Sequence, residues 1–273
     1  MVSSAAPAIA PDTSPGGSPL LDVRGLTKRY SGLVALADYS LRLPAGTIHG
    51  VIGPNGAGKT TLFHLLSGMV RPSSGTIHLQ GVDITHLPPH RVARLGIART
   101  FQNIRLFGDM SVIDNVKVGV QQRLPVSLWS TIITGPSFRR REEEVTARAT
   151  ELLDLVGLAD RAGRIARSLP YGDQRRLEIA RAVAVDPKVL LLDEPNAGMN
   201  PSETGELLAL IRRLRDELGI TIILVAHDIP LVMNLCERIQ VLNYGVLIAD
   251  GEPATVRADP DVIAAYLGQA KHA

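Results

Sequence analysis

Cysteine and unbalanced charge are both nearly missing from this chain of 273 residues. Cys236 is the only cysteine, which excludes an internal disulfide and a cysteine metal site. Its place in the apolar run LVMNLCERI predicts a buried thiol in a reducing compartment. The 29 Lys and Arg residues nearly balance 27 Asp and Glu, for a net charge of +2. So weak a field predicts no nucleic-acid partner.

Long hydrophobic runs are also missing. Strings such as VLLL at 189–192 and IILVA at 222–226 are far shorter than the roughly 20 residues that span a bilayer. Residues 1–19 are rich in Ala, Pro, Ser and Gly and lack the positive start and apolar stretch of a secretory signal. We therefore expect 1–19 to be a disordered tail, 269–273 to be a short C-terminal tail, and the chain not to be exported.

Short β-branched runs alternate with helical patterns, which predicts an α/β fold with a mainly parallel sheet and an antiparallel β portion. We expect a hairpin over 239–251 that turns at Tyr244-Gly245. Helices are predicted at 59–67 and 202–218, each ended by a glycine. The predicted strands are 21–26, 47–52, 75–81, 189–193 and 221–226.

Residues 103–187 have a different composition, with two helical blocks and no convincing strand. We expect a helical subdomain inserted into a domain of residues 20–268. Within it, 121–144 contains the only tryptophan, Trp129, and a run of Arg followed by Glu. This stretch is either a solvated helix face or a contact surface for a partner.

The string GPNGAGKT at 53–60 has the spacing G-x-x-x-x-G-K-T, directly after a predicted strand and at the start of a predicted helix. This context predicts a P-loop, in which backbone N–H groups and a helix N-terminus bind phosphates. Lys59 supplies a charge to the β- and γ-phosphates, and the Thr60 hydroxyl can bind Mg²⁺. The predicted nucleotide contacts are Gly53, Pro54, Asn55, Gly56, Ala57, Gly58, Lys59, Thr60 and Thr61.

A pair of carboxylates ends the apolar run VLLLDEP. Asp193 can hold Mg²⁺, directly or through water, and Glu194 can act as a base toward an attacking water. A small-molecule kinase, which must exclude water, has no need for the second carboxylate. The missing NKxD string counts against a GTPase. His227 follows another apolar strand, where its imidazole can reach a γ-phosphate.

The P-loop, Phe101-Gln102, LPYGDQ at 169–174, LLLDEP and AHD at 226–228 occur in this order and at these separations in one family. From about residue 20 to 268 the chain resembles the ATP-binding subunits of ABC transporters. The resemblance implies ATP and Mg²⁺ as cofactors and ATP hydrolysis coupled to transport.

The resemblance also assigns roles residue by residue. Tyr30 matches the aromatic residue that stacks on adenine, and Gln102 the glutamine that touches Mg²⁺ or the water. Glu194 matches the catalytic base, and His227 the switch histidine. Leu169, Pro170, Tyr171, Gly172 and Asp173, named here the signature segment, match the motif that closes over the nucleotide of a second subunit.

The family implies partners and a location as well. These are a second ABC ATPase subunit, identical or different, two polytopic permease subunits and an extracytoplasmic substrate-binding protein. The chain would lie on the cytoplasmic face of the cell membrane. RTFQNIRLFGDMSVIDNV, YGDQRRLEIARA and DPDVIAAYLG resemble the branched-chain amino-acid importer ATPases with the longer helical insertion. A urea or amide importer ATPase, a soluble ABC ATPase of DNA repair or translation, and a P-loop kinase are the alternatives.

Overall fold

The computed structural model describes residues 18–123, 136–226 and 228–267. The strands are β1 Leu21–Tyr30, β2 Leu33–Leu43, β3 Ile48–Ile52, β4 Ser74–Leu79, β5 Val82–Asp83, β6 Ile97–Arg99, β7 Val189–Asp193, β8 Thr221–Val225, β9 Arg238–Asn243 and β10 Val246–Gly251. The helices are α1 Lys59–Leu66, α2 Pro89–Leu95, α3 Val112–Arg123, α4 Pro136–Leu155, α5 Tyr171–Val183, α6 Pro201–Leu218, α7 Ile229–Leu235, α8 Pro253–Ala258 and α9 Pro260–Leu267. Ala159–Arg161 and Ala166–Ser168 form single 3₁₀ turns.

The chain divides into two compact units. Unit 1 takes residues up to Pro89 and from Ile223 onward, and unit 2 takes His90–Ile222. The division falls within β8. Each unit contains helices and strands, and both parallel and antiparallel pairing occur, so the predicted α/β class is confirmed. The domain boundaries drawn from the sequence remain a prediction.

Unit 1 contains an antiparallel sheet in the order β2-β1-β4-β5. In a second group β9 pairs with β3 in parallel and with β10 in antiparallel fashion. The predicted hairpin is confirmed, because Tyr244 and Gly245 have φ of 46° and 80° between β9 and β10. Two successive left-handed residues give the turn that matches the twist of a hairpin. Cys236 is buried, as predicted, and burial raises the pKa of its thiol.

Unit 2 contains a parallel strand pair and several helices. β6 pairs with β7, and every residue of β7 is buried, which explains its continuous apolar sequence. Between β6 and β7 the described residues form helices α3, α4 and α5, with one isolated antiparallel bridge, Ser111 to Ile165, and no longer strand. Trp129 lies outside the described residues. Among the helices of the described ranges, none has the length and hydrophobicity needed to cross a membrane.

Helix α6 begins with a complete capping box. The Asn200 side chain accepts a hydrogen bond from the Glu203 N–H, and the Glu203 side chain accepts one from the Asn200 N–H. Pro201 occupies the first turn, where its missing N–H costs nothing, and Gly219 ends the helix in the left-handed conformation. The helix predicted at 202–218 is therefore confirmed and begins one residue earlier.

Candidate functional site

The P-loop follows β3 in unit 1 and leads into α1, as predicted. Gly53, Gly56 and Gly58 have φ of 152°, 80° and 104°, which L side chains rarely adopt. A Cβ atom on Gly53 would lie 2.1 Å from the carbonyl oxygen of Leu242, and one on Gly58 would lie 2.6 Å from that of Ala35. Glycine is thus required at Gly53 and Gly58 by backbone conformation and close packing, and at Gly56 by conformation alone.

Lys59 is the first residue of α1 and is buried despite its charge, at 7% exposure. Its Nζ donates hydrogen bonds to the carbonyl oxygens of Gly53 at 2.6 Å and Pro54 at 2.9 Å. The ammonium group therefore lies inside the loop. Asn55 and Thr60 are exposed, Thr61 is half-buried and Ala57 is buried. Unit 1 thus brings the predicted phosphate contacts together in one loop and one helix start.

Tyr30 ends β1 and is 41% exposed. Lys28 Nζ lies 4.9 Å from the centre of its ring, within the range of a cation–π contact. The same ammonium donates to the carbonyl oxygen of Arg71 at 2.9 Å, which fixes its position. The Tyr30 ring is thus partly exposed, with the Lys28 ammonium group over it.

The two predicted carboxylates follow each other at the end of β7 in unit 2. Asp193 is 5% exposed, and its Oδ2 accepts a hydrogen bond from Nη2 of Arg99 at 2.8 Å. Both side chains are almost fully buried. Arg99 lies at the end of β6, the strand paired with β7, so the two strand ends bring opposite charges together.

Glu194 is half-buried and has a φ of 45°, a left-handed conformation that is unusual for a residue with a side chain. Backbone strain of this kind is concentrated at functional sites. Glu194 Oε2 accepts a hydrogen bond from Gln102 Nε2 at 3.2 Å. The structure thus joins two of the predicted catalytic residues, while the third, His227, lies outside the described residues.

The signature segment forms the start of α5. Pro170 is the N-cap, with φ −54° and ψ 156°, and Tyr171 is the first helical residue. At this N-cap position a side-chain hydroxyl could accept a hydrogen bond from the N–H groups of the first helical turn, whereas Pro170 makes no capping bond. Asp173 is 4% exposed and forms ion pairs with Arg161 and Arg176. Two arginines therefore compensate the one carboxylate in this segment.

Residues 196–200 pack beside the signature segment within unit 2. A Cβ atom on Gly198 would lie 3.4 Å from the Tyr171 ring, and one on Gly172 would lie 2.8 Å from Oε1 of Glu203. Because Glu203 is held by the capping box of α6, the start of α6 fixes the space around Gly172. Gln102, Asn103, Tyr171, Ala197 and Gly198 line a surface pocket of about 370 Å³.

Three charged residues near these sites were not found from the sequence. Arg99 holds Asp193, while Arg175 and Glu178 of α5 form a buried ion pair at 2.8 Å. Burial raises the pKa of Glu178, and the Arg175 guanidinium opposes that rise. For Arg175 and Glu178 the available signal was the spacing of opposite charges three residues apart, which by itself does not separate a buried pair from an exposed one.

Comparison with known proteins decides the family. The profile described as "ABC transporter" matches residues 36–197, more than half of the chain. The chain belongs to the ABC transporter family. As an ABC ATPase it binds nucleotide, couples ATP hydrolysis to transport and works with membrane permease subunits. A second profile, "Branched-chain amino acid ATP-binding cassette transporter", matches residues 246–272.

Curated relatives and solved structures agree with this membership. The ABC ATPase is 48% identical over 252 residues to the high-affinity branched-chain amino acid transport ATP-binding protein LivG of Escherichia coli K12, covering 92% of this chain and 99% of LivG. It is 46% identical, with the same coverage, to BraF of Pseudomonas aeruginosa. The ADP conformation of MJ1267, an ATP-binding cassette of an ABC transporter, superposes with a TM-score of 0.79 at 28% identity, covering 91% of this chain and 98% of MJ1267.

Proposed function

We propose that this ABC ATPase powers an importer of branched-chain or other hydrophobic amino acids. The observation that carries the proposal is the 48% identity to LivG over nearly the whole of both chains. The match of residues 246–272 to the branched-chain profile supports it independently of the P-loop. The substrate itself would be selected by other components, a pair of polytopic permease subunits and an extracytoplasmic substrate-binding protein.

In this proposal the chain pairs with a second ABC ATPase subunit, identical or different, on the cytoplasmic face of the cell membrane. Tyr30 stacks on adenine, and residues 53–61 bind the phosphates through backbone N–H groups and Lys59. The signature segment contacts the nucleotide of the partner subunit.

Glu194 is proposed as the general base, which accepts a proton from the attacking water. Gln102 orients Glu194 and the water through its amide, an assignment supported by the 3.2 Å contact between the two side chains. His227 is assigned to the γ-phosphate on the family resemblance alone.

Magnesium is implied by the family, and the chemistry of each assigned residue suits it. Thr60 offers an exposed hydroxyl, Gln102 an amide oxygen and Asp193 a carboxylate, and Mg²⁺ prefers such hard oxygen ligands. The Asp193 carboxylate already forms an ion pair with the Arg99 guanidinium through Oδ2 at 2.8 Å, so it can accept a positively charged partner. When bound, Mg²⁺ neutralises charge on the β- and γ-phosphates.

Uptake by the native host tests the proposal. Deleting the gene should abolish high-affinity uptake of labelled leucine, isoleucine and valine. The parent gene should restore uptake, while Glu194→Gln should not. Loss of urea or acetamide uptake with leucine uptake intact would reassign the substrate. Unchanged uptake of all these solutes, together with co-purification with ribosomes or DNA, would contradict a role in transport.

A further inference from the structure

Two side chains of α5 hold the loop that carries Gln102, residues 101–105, named here the glutamine loop. Arg175 Nη1 donates to the carbonyl oxygen of Phe101 at 2.7 Å, and Nη2 donates to that of Gln102 at 2.9 Å. Glu178 Oε1 accepts from the N–H groups of Phe101 at 3.4 Å and Arg105 at 3.2 Å. Four hydrogen bonds thus join one helix to the backbone of one short loop.

The two side chains form a buried ion pair. Arg175 and Glu178 are 0% and 2% exposed and lie 2.8 Å apart. Burying two charges costs free energy, and replacing such a pair with apolar residues is often neutral or stabilising. Stability alone is therefore a weak reason for this pair. The guanidinium instead uses its rigid planar fork to bond two backbone carbonyls and Glu178 at once, a fixed geometry that the rotatable ammonium of a lysine does not share.

The bonds converge on Gln102 from both ends. Arg175 donates a hydrogen bond to the backbone carbonyl of Gln102, and the side-chain Nε2 of Gln102 lies 3.2 Å from Glu194 Oε2. We propose that Arg175 and Glu178 are positioning residues, which fix the backbone of the glutamine loop so that the Gln102 amide stays against Glu194. The inference rests on the proposed roles of Gln102 and Glu194. Because α5 begins in the signature segment, one helix then connects that segment to the glutamine of the same chain.

The first test is Arg175→Lys in the full-length ATPase, with steady-state hydrolysis measured over a range of ATP concentrations. We expect kcat to fall about ten- to hundredfold, the cost of a misplaced catalytic group, while KM for ATP changes less than about twofold. The matched control is Arg148→Lys. Arg148 also pairs with a glutamate three residues later, Glu151, at 2.9 Å, but on an exposed face of α4. The kcat of Arg148→Lys should therefore equal that of the parent.

A double-mutant cycle with Gln102→Ala separates positioning from general stability. If Arg175 acts through Gln102, Arg175→Lys should cause no further loss of kcat in the Gln102→Ala background. An equal fold-loss in both backgrounds would overturn the proposal, because the effect would then be independent of Gln102. A parent-like kcat for Arg175→Lys would overturn it as well.

A measurement on the parent covers the case in which the variant fails to fold. Residue-resolved hydrogen exchange should show slower exchange at the Arg105 amide, which bonds to Glu178, than at the amide of exposed Asn103. Equally fast exchange at both amides would overturn the proposal. Glu194→Gln is included in each series to test the proposed base separately. If Glu194→Gln hydrolyses ATP at the parent rate, the assignment of the base is wrong. If Glu194→Gln is inactive while Arg175→Lys has the parent kcat, only the positioning role is rejected.

Discussion

Gln102 Nε2 donates a hydrogen bond to Glu194 Oε2 at 3.2 Å, across 92 residues of sequence. The bond joins an exposed loop residue to a residue in a left-handed backbone conformation at the end of a buried strand. The carboxylate is therefore oriented from two directions, by its own backbone and by the amide. Such a fixed acceptor is suited to removing a proton from water.

Replacing Glu194 with Gln should abolish ATP hydrolysis while ATP binding and closure of the dimer remain possible. The amide is isosteric with the carboxylate but cannot accept a proton at neutral pH. We expect the rate at this chain's own nucleotide site, measured in the assembled complex, to fall by about two to four orders of magnitude, the usual contribution of a general base. Nucleotide affinity is measured in parallel by equilibrium binding. Parent-rate hydrolysis would show that another residue is the base.

Lys59→Ala should instead weaken nucleotide binding. The ammonium group is held inside the P-loop by two carbonyl oxygens, so its removal takes away the charge that is proposed to contact the phosphates. A hydrogen bond to a charged group contributes about 1.5–3 kcal/mol, or roughly ten- to a hundredfold in affinity. Calorimetry with ATP checks the change, and Lys117→Ala in unit 2 is the control. Unchanged affinity in Lys59→Ala would refute the role assigned to this lysine.

The P-loop was predictable because its requirements are local. Glycine spacing, the lysine and the helix start all lie close together in the sequence at 53–61, and the structure places them as expected. β6 was missed because a strand as short as Ile97–Arg99 does not show a strand period. β2 was also missed, because the alternation of its side chains is broken at Asp38, whose φ of 49° is left-handed.

The buried charges were not predictable in the same way. Arg175 and Glu178 have the same spacing as Arg148 and Glu151, yet only the first pair is buried. Burial is decided by what packs on the helix, and a single helix sequence does not contain that information. For the same reason the contact of Arg99 with Asp193 depends on the pairing of β6 with β7, which joins residues far apart in the chain.

Two glycines near α6 should respond to alanine in opposite directions. Gly205 lies within α6, and a methyl group added there would meet nothing within 4 Å, so Gly205→Ala should stabilise unit 2 by about 0.5–1 kcal/mol. Gly172→Ala would bring a Cβ atom within 2.8 Å of Glu203 Oε1 and displace the capping box, costing about 0.5–2 kcal/mol. Urea denaturation measures both changes. A stabilising Gly172→Ala would contradict the observed packing.

Protonation of the buried His49 should lower the stability of the protein in acid. It is 3% exposed in β3, and burial lowers its pKa from 6.5 to about 4, against the opposing effect of the Asp250 carboxylate. Between these values the unfolded chain binds more protons than the folded one, so the free energy of unfolding should decrease as the pH falls. The full loss amounts to about 3 kcal/mol. Denaturant titrations across this pH range should show a flatter dependence for His49→Leu, and identical slopes would reject the assignment.

Pro170→Ser should speed hydrolysis at the nucleotide site of the partner subunit. Pro170 is the N-cap of α5 and offers neither a hydroxyl nor an N–H. Serine would supply both at the end of the segment proposed to contact the partner's γ-phosphate, and one such bond is worth roughly 1.5–3 kcal/mol. Pro170→Ala restores the N–H alone and is the control for the hydroxyl.

The rate must be read at the partner's site. A complex in which Glu194→Gln disables the base of this chain, while the partner's base is intact, reports hydrolysis there alone. An increase of several-fold for Pro170→Ser over Pro170→Ala would assign the effect to the hydroxyl. An unchanged rate would mean that the N–H groups of Tyr171, Gly172 and Asp173 at the start of α5 already suffice to bind the partner's γ-phosphate.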